Sequence, residues 1–135
     1  MIVGIGNDIV DINRIRLIHK KFGNKFLKKI YTNNELKFFS RNNNKFIERL
    51  ANRFAAKEAF YKALSHDKKS PTPSFQDVEI LNLEGGQPEM KVFNLAEKLC
   101  LELVPKSCTY KIHVSLSDER NYCSSFVLIE SIRCD

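Results

Sequence analysis

Glu58 and Lys62 stand four residues apart in Arg53-Phe54-Ala55-Ala56-Lys57-Glu58-Ala59-Phe60-Tyr61-Lys62-Ala63-Leu64, a stretch of strong helix formers. Four residues is close to one helical turn, so the acid and the ammonium share a face. A further carboxylate, Asp8, interrupts the apolar run Gly4-Ile5-Gly6-Asn7-Asp8-Ile9-Val10. Two carboxylates for a hard cation and one ammonium for phosphate oxygens are the groups that a metal-held phosphate needs. Each also has an ordinary reading. Glu58 and Lys62 can be an exposed pair worth roughly 0.2–0.5 kcal/mol, and Asp8 can simply end a strand. A metal and phosphate site requires the fold to bring Asp8 to Glu58, which the spacing alone leaves open.

His113 is the other group with chemical potential. In Ile112-His113-Val114-Ser115-Leu116-Ser117 strict alternation puts His113, Ser115 and Ser117 on one face of a strand and Ile112, Val114 and Leu116 on the other. A histidine beside two hydroxyls is either a polar-face residue or a contact for a phosphate, ribose or base. Gly4 and Gly6 form only a G-x-G, too short for a nucleotide-binding loop. There is no Walker A segment, no H-E-x-x-H, and no convincing Ser-His-Asp or Cys-His order. Covalent catalysis is therefore not indicated.

These groups must be carried by a mixed set of elements. The spacing predicts a strand over 1–8, then a helix in which Ile12, Ile15, Ile18 and Phe22 recur between basic residues. Thr32-Asn33-Asn34-Glu35 has the form of a capping box and starts a short helix through about Phe39. The longest helical pattern runs from about Lys45 to His66, with Ile47, Leu50, Ala51, Phe54, Ala55 and Tyr61 as most of its apolar side, and Pro71 and Pro73 stop it. Strands are expected over 75–83 and 89–93, separated by Glu84-Gly85-Gly86-Gln87-Pro88, and Asn94 is expected to cap a helix from Leu95 to about Val104. Strands over 110–117 and 122–132 form the clearest β pair. No regular βαβ repeat is present, so the expected class is α+β, one domain over 1–135, with a mainly antiparallel sheet packed with a long helix.

The composition is compatible with a folded core: 135 residues, 43% hydrophobic and 28% charged, with ten Phe and no Trp. No apolar run approaches the roughly 18 residues of a membrane span. The N-terminus lacks a basic region and meets Asp8 too early for a secretory signal, so a cytoplasmic location without membrane contact is expected. Cys100, Cys123, Cys108 and Cys134 have neither C-x-x-C spacing nor a histidine pair, which argues against zinc and for reduced thiols. The net charge is +6, and it is concentrated between Asp11 and Ile30, where Arg14, Arg16, Lys20, Lys21, Lys25, Lys28 and Lys29 face one acid. This is either a solvated basic face or a docking surface for something acidic, whether nucleic acid, anionic lipid or an acidic protein. A nucleic-acid module is the competing class, but neither an aromatic platform nor zinc-finger spacing supports it, and no specific nucleic acid is expected.

The segments Gly4–Ile15, Arg53–Leu64 and His113-Val114-Ser115-Leu116-Ser117, together with Phe75-Gln76-Asp77-Val78-Glu79-Ile80 and Gly86-Gln87-Pro88, resemble the holo-[acyl-carrier-protein] synthases. These are the small 4′-phosphopantetheinyl transferases of bacterial lipid synthesis. The resemblance spans nearly the whole chain, in the family's order. It implies transfer of 4′-phosphopantetheine from coenzyme A to a serine of acyl carrier protein in fatty acid biosynthesis, with release of adenosine 3′,5′-bisphosphate. On this resemblance Asp8 and Glu58 hold Mg²⁺, Lys62 neutralises a phosphate oxygen, and Glu58 acts as base, directly or through a metal-bound water. Arg53 and His113 then contact the nucleotide end, the basic helix around Arg14 receives the acidic carrier, and the assembly is a homotrimer with sites between subunits. Two positions depart from the usual pattern. Ser65 replaces a glycine after Lys62-Ala63-Leu64, which either narrows the coenzyme's approach or adds a hydroxyl contact to it. Asp118 stands where the family has an acid or histidine, an acceptable variant.

Overall fold

The computed structural model describes residues 1–40, 43–64 and 71–134. Its elements in chain order are β1 (Ile2–Asp11), α1 (Ile12–Phe22), α2 (Asn24–Ile30), α3 (Asn33–Ser40), α4 (Phe46–Ala63), β2 (Val78–Asn82), β3 (Pro88–Val92), α5 (Asn94–Leu103), β4 (Cys108–Asp118) and β5 (Tyr122–Arg133). β1, β5 and β4 form an antiparallel sheet with β5 in the centre, and β2 and β3 form a separate antiparallel hairpin. The expected α+β class with antiparallel sheets holds.

β1 does not stop at Asp8. It continues to Asp11, and Asp8 pairs with Ser125 in mid-strand. The chain turns at Asp11 because its side chain accepts a hydrogen bond from the Asn13 N–H (2.9 Å) and caps α1. The Thr32–Glu35 capping box forms in both directions: Thr32 N–H donates to Glu35 Oε1 and Glu35 N–H to Thr32 Oγ1. Asn94, by contrast, does not cap α5. It is the first helical residue, with φ of 52°, and its amide donates to Asp77 Oδ1 at 3.0 Å. The expected strand over 75–83 begins with a 3₁₀ turn, Phe75–Asp77, closed by a capping box from Ser74.

α4 runs between two hydrophobic clusters, so its burial wraps the helix instead of following one stripe. Leu50, Ala51 and Ala55 pack with Val10, Ile15, Tyr31 and Phe39. Ala56, Ala59, Phe60 and Ala63 pack with Val78, Ile80, Val127 and Ile129. Of the expected apolar side, Leu50, Ala51 and Ala55 are fully buried and Ile47, Phe54 and Tyr61 only half-buried, while Ala56, Ala59 and Ala63 are covered as well. This is close packing of helix on sheet, in which a small side chain lets backbones approach.

On the sheet, Ser125, Val127 and Ile129 of β5 face α4 together with Gly4, Gly6 and Asp8 of β1 and Ile112, Val114 and Leu116 of β4. His113, Ser115 and Ser117 point to the opposite face, as the alternation predicts. No element among the described residues covers that outer face, although it carries Ile5, Ile9 and Phe126 at 58%, 68% and 43% exposure.

Candidate active site

Gly4 and Gly6 set the site. A Cβ on Gly6 would run into the Ala59 carbonyl oxygen, and one on Gly4 into that of Ala63. The G-x-G is thus a helix-on-strand contact, in which two missing side chains let α4 lie directly on β1. Asp8, two residues further on the same face, is thereby brought beside the helix at Glu58 and Lys62. The Lys62 ammonium donates to the Asn7 carbonyl at 2.9 Å and to Asp8 Oδ1 at 3.1 Å. Glu58 and Lys62 do not form the i,i+4 ion pair that their spacing allows, because Lys62 is drawn to Asp8 instead. That bridge is open, with the Lys62 side chain 56% exposed, so little energy opposes its release.

Glu58 is half-buried and, among the described residues, has no hydrogen-bond partner. Burial pushes its carboxyl upward from the ordinary value, and the charge of Asp8 pushes it further, while Lys62 and Arg14 oppose the rise. Groups perturbed by burial together with a nearby charge cluster at functional sites, which marks Glu58 as a candidate. No group of three histidine, cysteine or acidic side chains suited to a metal exists among the described residues. Two carboxylates with open lone pairs fit Mg²⁺, which keeps several waters and takes its remaining ligands from substrate phosphates.

The residue beside Glu58 was invisible as a functional group in the sequence. Lys57 is fully buried, and its ammonium donates to Glu35 Oε1 (2.6 Å), the Ile30 carbonyl (2.7 Å) and the Phe75 carbonyl (3.0 Å). Glu35 also accepts from the N–H groups of Thr32 and Ile80. Burial lowers the Lys57 pKa and Glu35 works against that shift. All three ammonium protons are used, so the pair ties the end of α2, the start of α3, β2 and the turn at Phe75 to the helix that carries Glu58. The capping box at Thr32 was legible, but not that its acid would continue inward to a lysine 22 positions away.

Arg53 and His113 do not join Asp8, Glu58 and Lys62 within one chain. Arg53 is 4% exposed; its guanidinium donates to Asn82 Oδ1 (2.6 Å) and lies over the rings of Phe38 and Phe39. Its Nε has no partner among the described residues, and a shallow pocket of about 230 Å³ beside Asn82 is lined by Lys37 and Phe38. His113 is on the outer face of the sheet, where its Nε2 lies 2.7 Å from Glu130 Oε2. The hydrogen bond and charge of His113 hold the Glu130 carboxyl below its ordinary value. Ser65 lies outside the described residues. Arg14, exposed near the start of α1, is near enough for its charge to act on Glu58. The thiols of Cys100 and Cys123 are buried and pushed up to about 12 and about 11, as expected of inert groups. No described helix is long and apolar enough to cross a membrane.

Known proteins resemble this chain over nearly its whole length. The chain is 38% identical over 132 residues to the holo-[acyl-carrier-protein] synthase of Zymomonas mobilis, covering 97% of this chain and 98% of the relative. The crystal structure of holo-[acyl-carrier-protein] synthase from Neisseria meningitidis superposes with a TM-score of 0.79 at 37% identity, over 96% of this chain and 99% of that one. The Bacillus anthracis holo-(acyl-carrier-protein) synthase, solved in complex with CoA (3′,5′-ADP), superposes with a TM-score of 0.74 at 31% identity, over 98% and 99% of the two chains. The 4′-phosphopantetheinyl transferase superfamily model matches residues 4–127, and the chain belongs to that family.

Proposed function

We infer that this protein is a holo-[acyl-carrier-protein] synthase that moves 4′-phosphopantetheine from coenzyme A to a serine of acyl carrier protein, in the cytoplasm and for fatty acid biosynthesis. The observation that carries the reading is the meeting of Asp8, Glu58 and Lys62 on one surface, with Arg14 of the basic helix within electrostatic reach. The serine oxygen attacks the phosphorus attached to pantetheine. A P–O bond to that serine forms, the P–O bond within the pyrophosphate breaks, and adenosine 3′,5′-bisphosphate leaves. Such a transfer needs positioning and charge neutralisation more than a protein nucleophile, which agrees with the lack of a nucleophile motif in the sequence.

Asp8 and Glu58 would hold Mg²⁺, which when bound neutralises charge on the pyrophosphate. Glu58, kept basic by burial and by Asp8, takes up the serine proton. Lys62 turns from its exposed bridge with Asp8 to a phosphate oxygen, at small cost because the bridge is solvated. Arg53 is assigned to the nucleotide end on resemblance, and its buried Nε, without a partner among the described residues, supports a further contact there. Ser65 is assigned to the coenzyme's path on resemblance alone.

With Phe75, α1 and α2 present a groove of about 560 Å³ lined by Ile18, Phe22, Phe26 and Ile30 and edged by Lys25 and Lys29. An acidic helix with apolar residues on one side fits both its charge and its lining, and this is the surface for the carrier. Chromatography of released adenosine 3′,5′-bisphosphate tests the whole reading. Release requires apo carrier, and Arg14→Glu should raise the KM for carrier about tenfold while leaving the KM for coenzyme A essentially unchanged. Release without carrier, or equal loss toward both substrates, contradicts it.

The homotrimer expected from the resemblance is supported by the outer sheet face. One face of an antiparallel sheet commonly meets water and is polar, yet here Ile5, Ile9 and Phe126 are displayed on it. His113 shares that face, so it reaches the nucleotide end only of a site on a neighbouring copy. Sedimentation equilibrium should give about three times the 15.6 kDa of one chain. Phe126→Asp should reduce this to one chain and abolish transfer with Asp8 and Glu58 untouched; a monomeric, active wild type refutes the composite site.

A further inference from the structure

Ser125 is 1% exposed, and its hydroxyl is one of the few buried side-chain polar atoms left without a hydrogen-bond partner among the described residues. It sits on the face of β5 that packs under α4, where its neighbours along the strand, Cys123 and Val127, are apolar or only weakly polar. Leu116 stands across from it on β4. On the other side, directly opposite in the β1–β5 ladder, is Asp8. Opposed residues of an antiparallel pair have their Cβ atoms roughly 4.5–5.5 Å apart, which a serine and an aspartate can span with a hydrogen bond by rotation of their side chains. A buried hydroxyl kept without a partner is a cost that the alanine found at so many positions of α4 would avoid. Asp8 Oδ1 is engaged by Lys62. The second oxygen makes no hydrogen bond among the described residues.

We propose that Ser125 is a positioning residue for Asp8, its hydroxyl donating to the carboxylate when Lys62 turns away to the substrate phosphate. Asp8 then keeps one orientation, and one oxygen stays directed at the cation shared with Glu58. Groups that orient a metal-binding carboxylate in this way are typically worth about 10–100-fold in affinity or activity. The inference rests on the two-carboxylate site proposed above and adds the group that holds it in place.

Mn²⁺ binding to the full-length protein in the presence of coenzyme A, followed by loss of the free-ion EPR signal, tests it, with a thermal melt of each metal-free protein alongside. Ser125→Ala should bind Mn²⁺ about tenfold more weakly than wild type, while its melting temperature is unchanged or raised. Wild-type Mn²⁺ affinity in Ser125→Ala overturns the proposal and leaves the site itself standing. Failure of the wild type to bind Mn²⁺ removes the two-carboxylate site, and the role of Ser125 with it.

Discussion

Glu58→Gln should lower phosphopantetheine transfer by roughly 10²–10⁴-fold at saturating coenzyme A and Mg²⁺, because in the proposed mechanism it removes a metal ligand and the proton acceptor together. Asp8→Asn should have a comparable effect through the metal alone. The Glu58 variant should also be the more stable protein at neutral pH. In the metal-free fold, burial first and Asp8 second raise the Glu58 pKa above its ordinary value, so the native state binds the proton more tightly than the unfolded chain. Stability associated with Glu58 is thus full below the unfolded carboxyl value and is lost as pH rises through the raised folded value. The uncharged amide of the variant carries no such loss. The melting temperature of Glu58→Gln should exceed that of the wild type at pH 7, and the gap should close as pH falls below about 4.5, the ordinary glutamate range. Near-normal turnover in either variant would show that the two acids are not the metal pair. A Glu58→Gln protein less stable than wild type at pH 7 would show that Glu58 is not electrostatically strained.

Lys57→Met should cost about 3–5 kcal/mol of folding stability, the usual result of removing one partner of a buried ion pair. The loss arises because Glu35 stays buried without its cation and the carbonyls of Ile30 and Phe75 lose their donor. For a chain of this size that is a large part of a total of roughly 5–15 kcal/mol. The melting temperature should fall by roughly 10–15 °C. Urea denaturation measures it directly, and an unchanged midpoint would mean that the Lys57–Glu35 pair does not hold α2, α3 and β2 to α4. The exposed Lys62–Asp8 bridge provides the contrast. Lys62→Met should change stability by about 1 kcal/mol or less, since solvent screens that pair. Two lysines of one helix, little more than a turn apart, thus differ: one is buried in an ion pair that ties elements together, and the other is exposed, as the proposed contact to substrate requires.

The parts of this molecule governed by local rules were legible in its sequence. The Thr32–Glu35 capping box, the alternation around His113 and the β4–β5 pair needed only neighbours within a few positions, and each is present. Glu58 and Lys62 share a helix face as their spacing requires. What spacing could not convey was partner choice. Lys62 pairs with Asp8, 54 positions away, and not with Glu58, because the glycines of β1 bring the strand against the helix. Gly4 and Gly6 were too weak as a motif because their meaning is steric and depends on the alanines of another element. Lys57 read as one more charge on a charged helix, and only the wrapping of α4 by two clusters buries it. Asn94 has the residue type of a cap, but its side chain is drawn to Asp77. His113 was placed on the right face of its strand, but that face is turned away from Asp8. A single sequence carries no sign of which side of a sheet faces the residues of another element.

The central claim is that this chain transfers 4′-phosphopantetheine to a carrier serine, and intact-mass spectrometry of apo acyl carrier protein tests it most directly. After incubation with this protein, coenzyme A and Mg²⁺, the carrier should gain one phosphopantetheine group, and carrier whose acceptor serine is replaced by alanine should gain nothing. A carrier that emerges at its apo mass would contradict the account.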